Sequence, residues 1–139
     1  MPVIEWIDEF NIGVECIDSQ HRQLVAMINN LYEVIRSNND RHHAIKKSLD
    51  ALIDYINVHF SLEQNFMDRI CYPKRFEHVE IHKWISIQVV SLCDSYEKDK
   101  NSLLAEELFE FLSDWFVKHI KSEDLLIKSF LDQTKIQGY

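Results

Sequence analysis

Residues 52–67 read LIDYINVHFSLEQNFM, and their spacing decides the fold. Ile45, Leu49, Leu52, Ile56, His59, Glu63 and Phe66 follow one another at intervals of three and four, which places them on one face of an α-helix. That face is oily at both ends and carries a histidine and a carboxylate in the middle. A carboxylate in a helix-packing seam loses its hydration, at a cost of roughly several kcal/mol, unless a charged partner meets it there. The stretch therefore predicts a long helix and a buried partner for Glu63.

Working outward, the same periodicity recurs three more times. A lead over 1–17, aromatic and mostly non-helical, carries Trp6, Phe10 and the turn residue Gly13. Asp18 has the chemistry of an N-cap, and His21, Val25, Ile28, Leu31 and Ile35 trace a helix over about 18–37. After the turn SNNDR comes the helix already described, over about 41–70. Pro73 suits the first turn of a third helix, about 73–97, with His78, His82, Ile85, Val89, Leu92 and Tyr96 in register. The polar KDKNS precedes a fourth, about 102–131, along Leu104, Leu108, Leu112, Trp115 and His119. Only 2 Gly and 2 Pro in 139 residues leave little turn chemistry for sheets or long loops. The expected fold is all-α, an up-down-up-down antiparallel four-helix bundle forming one domain over 1–139.

Composition excludes several function classes. A net charge of −8 argues against nucleic acid as a partner, since phosphate contacts need clustered Lys and Arg. No apolar run is long enough for a membrane span, and the first ten residues lack the basic region of a signal peptide. Cys16, Cys71 and Cys93 are odd in number and widely spaced, so they form neither a metal knuckle nor a disulfide framework. Free thiols fit a cytoplasmic location.

Five of the seven histidines, His21, His59, His78, His82 and His119, fall on inward stripes, together with Glu63. A lone inward histidine is usually a hydrogen-bonded core residue, and an isolated HxxxH pair is common on helix surfaces. Convergence of groups from four helices is different, and the simplest partner for Glu63 is a metal ion. His42 and His43, adjacent at a polar helix start, fit an ordinary solvated role. On the last helix, Glu123 lies at i+4 from His119 and Asp124 at i+5. A regular helix turns Asp124 about 140° away from His119, so spacing favours Glu123, although a carboxylate shared by two ions need not share the face of its neighbour.

WIDEFNIGVECIDSQH at 6–21, HFSLEQNFM at 59–67, YPKRFEHVEIH at 72–82 and WFVKHIKSED at 115–124 together resemble the hemerythrin family, specifically its bacterial single-domain type. The resemblance covers nearly the whole chain in order and spacing. It implies a non-haem centre of two iron ions with an oxo or hydroxo bridge. His78, His82 and His119 would hold one iron and His21 and His59 the other, with Glu63 and Asp124 bridging both, which decides for Asp124 over Glu123. Five imidazoles, two shared carboxylates and one shared oxygen make about eleven bonds, against about twelve for two octahedral ions. One position stays open on the two-histidine iron, where the resemblance implies reversible binding of dioxygen.

The family's oxygen pocket is an apolar wall near that iron, and the matching positions are Leu24, Phe60, Trp115, Phe116 and Ile120. Phe116 replaces the usual leucine after the tryptophan, which narrows oxygen access. Gln64 replaces a commonly acidic neighbour of the bridging glutamate; it is not a ligand position, and little effect on iron is expected. The residues three before the histidines are Asp18, Asn39, Asp40, Ile56, Arg75, Val79 and Phe116, never Glu. The chain thus lacks the Glu-x-x-His motif of di-iron carboxylate proteins. An imidazole-rich shell stabilises ferric species less than an anionic one, favouring reversible binding over oxidation. The expected role is a non-enzymatic oxygen carrier, store or delivery protein. A di-iron oxidase or peroxidase, an oxygen or redox sensor with a separate oxygen-consuming or signalling protein partner, and a structural zinc bundle are the competing classes.

Overall fold

A computed structural model describes residues 4–37, 41–99 and 102–134. These residues contain no strand. A short 3₁₀ turn, Asp8–Phe10, is followed by α1 (Glu15–Arg36), α2 (Arg41–Arg69), α3 (Arg75–Asp99), α4 (Ser102–His119), a π-helical turn at Ile120–Asp124, and α5 (Leu125–Thr134). α1 packs on α2, α2 on α3, α3 on α4 and α4 on α1. The architecture is the expected four-helix bundle, with the π turn and α5 prolonging the fourth helix. Central residues of the SNNDR and KDKNS turns, and the Leu104 side chain, lie outside the described residues.

The interior has two apolar clusters. One contains Leu24, Ile28 and Leu31 from α1, Ile45, Leu52 and Ile56 from α2, Ile85 and Val89 from α3, and Leu108, Leu112 and Phe116 from α4. The other contains Ile12, Val14, Ile17, Phe66, Met67, Ile70, Tyr72, Ile127 and Leu131. Along α1, α2 and the fourth helical segment, the chain passes from one cluster to the other through buried polar residues: Asp18 and His21, His59 and Glu63, His119 and Asp124. A polar layer is thus enclosed by oil above and below, where each fully buried aliphatic side chain contributes about 1.5–3 kcal/mol.

Three local expectations are corrected. Asp18 is not the N-cap of α1. The helix starts earlier, behind Val14, and the Asp18 carboxylate accepts the backbone N–H groups of Ile12 at 2.8 Å and Gly13 at 3.1 Å. Gly13 takes φ +90°, a conformation open to glycine at little cost, and this bend turns both N–H groups onto one carboxylate. Pro73 stands ahead of α3 rather than in its first turn, because the first helical bond runs from His78 N–H to the Lys74 carbonyl. The fourth helix does not run unbroken to 131, for reasons that concern the polar layer.

The lead is also tied down upstream: the Asn29 amide donates to the Ile4 carbonyl at 2.9 Å and accepts the Ile4 N–H at 3.0 Å. At the other end of the layer, α2 closes in a Schellman motif, with Tyr72 N–H on the Met67 carbonyl and Cys71 N–H on that of Asp68. Cys71 sits at the left-handed position with φ 54°, where glycine is usual and a side chain costs about 1 kcal/mol. Its thiol is exposed and unpaired, so little packing is at stake. Cys71→Gly is therefore expected to stabilise the fold by about 0.5–1 kcal/mol, read as a higher urea midpoint at unchanged slope.

Candidate metal centre

Each helix of the bundle sends at least one group into the polar layer. α1 provides His21, α2 His59 and Glu63, α3 His78 and His82, α4 His119, and the π turn Asp124. All seven are buried, and both carboxylates have 0 % exposure. Two groupings bring ligand atoms within 4.8 Å of one another: Glu63, His78, His82 and His119, and His21, His59, Glu63 and Asp124. All seven residues singled out from the sequence are therefore brought together. His42 and His43 are exposed and away from the layer; His42 Nδ1 lies 2.9 Å from the Tyr96 hydroxyl.

The two carboxylates face opposite ways with their two oxygens. Glu63 Oε1 lies 2.6 Å from His78 Nε2 and 3.2 Å from His82 Nε2, whereas Oε2 lies 3.3 Å from His59 Nε2 and 3.5 Å from His21 Nε2. Asp124 Oδ1 lies 3.1 Å from His78 Nε2 and 3.2 Å from His119 Nε2, whereas Oδ2 lies 3.1 Å from His21 Nε2. The imidazoles also crowd each other through the same nitrogens: His21 and His59 Nε2 are 3.0 Å apart, and His82 and His119 Nε2 are 3.2 Å apart. Two imidazole nitrogens can share one hydrogen but not two. So many inward-facing nitrogens are what a cation satisfies and what a hydrogen-bond network among themselves does not. Glu63 Oε2 and both Asp124 oxygens are buried without a hydrogen-bond partner, a costly condition that coordination removes.

The π turn selects the aspartate. Leu125 N–H bonds to the Ile120 carbonyl, an i→i+5 ring that widens the helix by one residue. His119 and Asp124, five apart, consequently reach the same interior, while Glu123 is half-exposed. The 3.6-residue period that favoured Glu123 does not hold across this turn.

Electrostatics follow from burial and pairing. Burial by itself opposes ionisation of Glu63, but the imidazoles of His21, His59, His78 and His82, held close against it, keep it well below the usual carboxylate range. Burial and the nearby Glu63 charge likewise act against ionisation of Asp124, yet His119 and His21 pull it far below normal. Burial disfavours protonation of His21, but Asp124 and Glu63 overcome it and raise its pKa to about 9. The same contest raises His78 to about 10. His82 goes the other way, to about 4: burial dominates, Glu63 helps less, and the charges of His119 and His78 repel a further proton.

Aromatic rings wall the layer. Phe116 meets His21 edge-on at 5.7 Å, Phe60 stacks on His82 at 3.8 Å, and Trp115 stacks on His119 at 5.2 Å. Leu24 and Ile120 are buried in the same apolar cluster. The wall thus borders both histidine groups rather than His21 and His59 alone. The residue that sequence reasoning missed is Gln20, whose Oε1 lies 2.9 Å from His59 Nδ1. Its signal was its place beside His21, one position off the inward stripe.

The sequence profile of the hemerythrin HHE cation binding domain matches residues 12–131. The chain belongs to the hemerythrin family, and so carries a non-haem iron-binding domain. It is 32 % identical over 130 residues to the bacteriohemerythrin of Methylococcus capsulatus, covering 91 % of this chain and 95 % of that protein. It is 28 % identical over 135 residues to that of Stenotrophomonas maltophilia, covering 97 % and 84 %. A crystal structure of a hemerythrin single-site mutant superposes with a TM-score of 0.82 at 28 % identity, covering 93 % of this chain and 97 % of that one.

Imidazoles bind metal only when deprotonated at the ligating nitrogen, so loading must displace the protons held by His21 and His78. Metal uptake at pH 7 is expected to release about two protons per chain, measured by titration calorimetry in buffers of different ionisation enthalpy. Before loading, the stability these two residues contribute is full below about 6.5 and is lost as pH rises through about 9 and about 10. Glu63 and Asp124 contribute with the opposite sign, fully above the ordinary carboxylate range and progressively less on acidification.

Proposed function

We propose that the chain, as a single domain, binds dioxygen reversibly at a centre of two non-haem irons. His78, His82 and His119 would hold one iron, His21 and His59 the other, and Glu63 and Asp124 would join them. The observation that carries this reading is the partition of carboxylate oxygens. Glu63 turns Oε1 to His78 and His82 and Oε2 to His21 and His59, and Asp124 turns Oδ1 to His78 and His119 and Oδ2 to His21. A single-ion site has no use for two carboxylates that each divide between two histidine groups.

Two ferrous ions supply the pair of electrons and the open coordination position that dioxygen binding needs. The protein's own contribution is positioning and enclosure. Helices on all sides fix the imidazoles, while Phe116, edge-on to His21, and the buried Leu24 and Ile120 of the same apolar cluster restrict water and protons there. Phe116 adds bulk next to His21, so Phe116→Leu is expected to speed both oxygen association and autoxidation. The cellular role in this reading is oxygen carriage, storage or delivery in the cytoplasm, without catalytic turnover. The relatives named bacteriohemerythrin support it.

The test is an anaerobic optical titration of the reduced, iron-loaded protein. Oxygen is expected to raise a visible charge-transfer band that fades under argon over repeated cycles. Irreversible decay to a ferric spectrum with release of peroxide would replace the carrier reading with an oxidase or a redox sensor. Iron analysis separates the ligands: Glu63→Ala and Asp124→Asn should lose bound iron, whereas Glu123→Gln should retain two irons per chain. Retention by the first two and loss in the third would sink the assignment.

A further inference from the structure

The outer Nδ1 atoms of His21, His59, His82 and His119 have no carboxylate as hydrogen-bond partner among the described residues. His59 Nδ1 lies 2.9 Å from Gln20 Oε1, and His82 Nδ1 lies 3.4 Å from Gln64 Nε2. His21 and His119 Nδ1 are buried without a partner. A ligating histidine commonly gives its outer N–H to a carboxylate, which fixes the ring and makes the imidazole a stronger donor. Here an amide stands in that place in each histidine group, from α1 toward His59 and from α2 toward His82.

We propose that Gln20 and Gln64 are uncharged positioning residues, one for each histidine group, and that their neutrality favours the ferrous state of the centre. The inference rests on the two-iron reading above. Because the Nε2 atoms of His59 and His82 face Glu63 and the interior, a ligating Nε2 leaves the hydrogen on Nδ1. Gln20 already presents its oxygen to that hydrogen. Gln64 turns its Nε2, a donor, toward His82 Nδ1, so it accepts that hydrogen only once its amide is turned over by 180° to present Oε1. Either side chain fixes a ring without adding charge.

The charge question is decided by exposure. Both glutamines are half-exposed, and Gln64 borders a surface groove between α2 and α3 that also touches Asn57, Ser61 and Lys83. A glutamate at either position would keep access to water and stay ionised at neutral pH. It would accept the same N–H and place a negative charge behind the imidazole, favouring iron(III) over iron(II). The reaction at issue is simple transfer of one electron per iron from an external mediator, with no bond to either glutamine made or broken. This reading departs from the expectation that Gln64 matters little to iron.

The experiment combines metal affinity with redox equilibrium in the full chain. Gln20→Ala and Gln64→Ala remove the contact, and each is expected to weaken Co²⁺ binding about 10–100-fold. Gln20→Glu and Gln64→Glu keep an acceptor and should hold Co²⁺ within about threefold of the parent. In the iron-loaded glutamate variants, the ferric-to-ferrous ratio at a fixed mediator poise should rise at least about tenfold. A purely packing role would move neither ratio in the glutamate variants. Unchanged affinity in both alanine variants, or an unchanged ratio in both iron-loaded glutamate variants, would overturn the inference while leaving the two-iron reading intact. A parent chain that takes up no metal would overturn both.

Discussion

Two carboxylates with no exposure to solvent, surrounded by five imidazoles, are the constraint around which the rest of this molecule is arranged. Removing the partner of a buried charge costs roughly 3–5 kcal/mol, so the chain keeps Glu63 and Asp124 only because every helix delivers something to meet them. No two helices could do it alone: the contacts of Glu63 come from α1, α2 and α3, and those of Asp124 from α1, α3 and α4. The bundle's ring of pairwise contacts is therefore as much a requirement of the polar layer as of the apolar clusters on either side of it. Those clusters supply the net burial from which the cost of the layer is met.

The π turn shows how local geometry yields to that constraint. Leu108, Leu112, Phe116, Ile120 and Asp124 are all buried, and each lies four residues after the last. A regular helix gains about 40° per four-residue step, so over four steps the last position would rotate about 160° away from the first. One widened turn absorbs part of that drift. Beyond the turn, Ile127 and Leu131 enter the second apolar cluster. The distortion sits between His119 and α5, where it brings Asp124 into the layer with His119.

Legibility in the sequence follows the same division. The stripe from Ile45 to Phe66 was readable because it belongs to a regular helix packed on one side, and the inward histidines were readable because they fall on such stripes. Spacing failed where the backbone departs from 3.6 residues per turn. Glu123 was favoured over Asp124 by a period that the π turn suspends, and only resemblance to a family pointed to Asp124, the carboxylate buried in the layer. The run of four-residue steps was nonetheless present in the sequence as a sign of the widened turn. Asp18 was misread as a cap because its partners, the N–H groups of Ile12 and Gly13, come from a bend that no periodicity describes. Gln20 escaped notice because its one signal, a place beside His21, says nothing by itself; its meaning comes from the 2.9 Å contact to His59.

In the two-iron reading, the wall and the outer contacts act on the same balance from different directions. Phe60 against His82, Trp115 against His119 and Phe116 against His21 keep the interior apolar, so charge separation there is poorly solvated. Oxidation of a centre raises its positive charge, and an apolar wall penalises that increase more than water would. A carboxylate behind an imidazole would compensate it. Amides at Gln20 and Gln64, and nothing at the outer nitrogens of His21 and His119, leave it uncompensated. Enclosure alone would slow the arrival of water and protons without changing which oxidation state is preferred. Neutrality alone would set that preference without slowing the leak. A centre that must give its ligand back unchanged needs both, and this chain's buried wall and uncharged outer contacts are the two features that supply them.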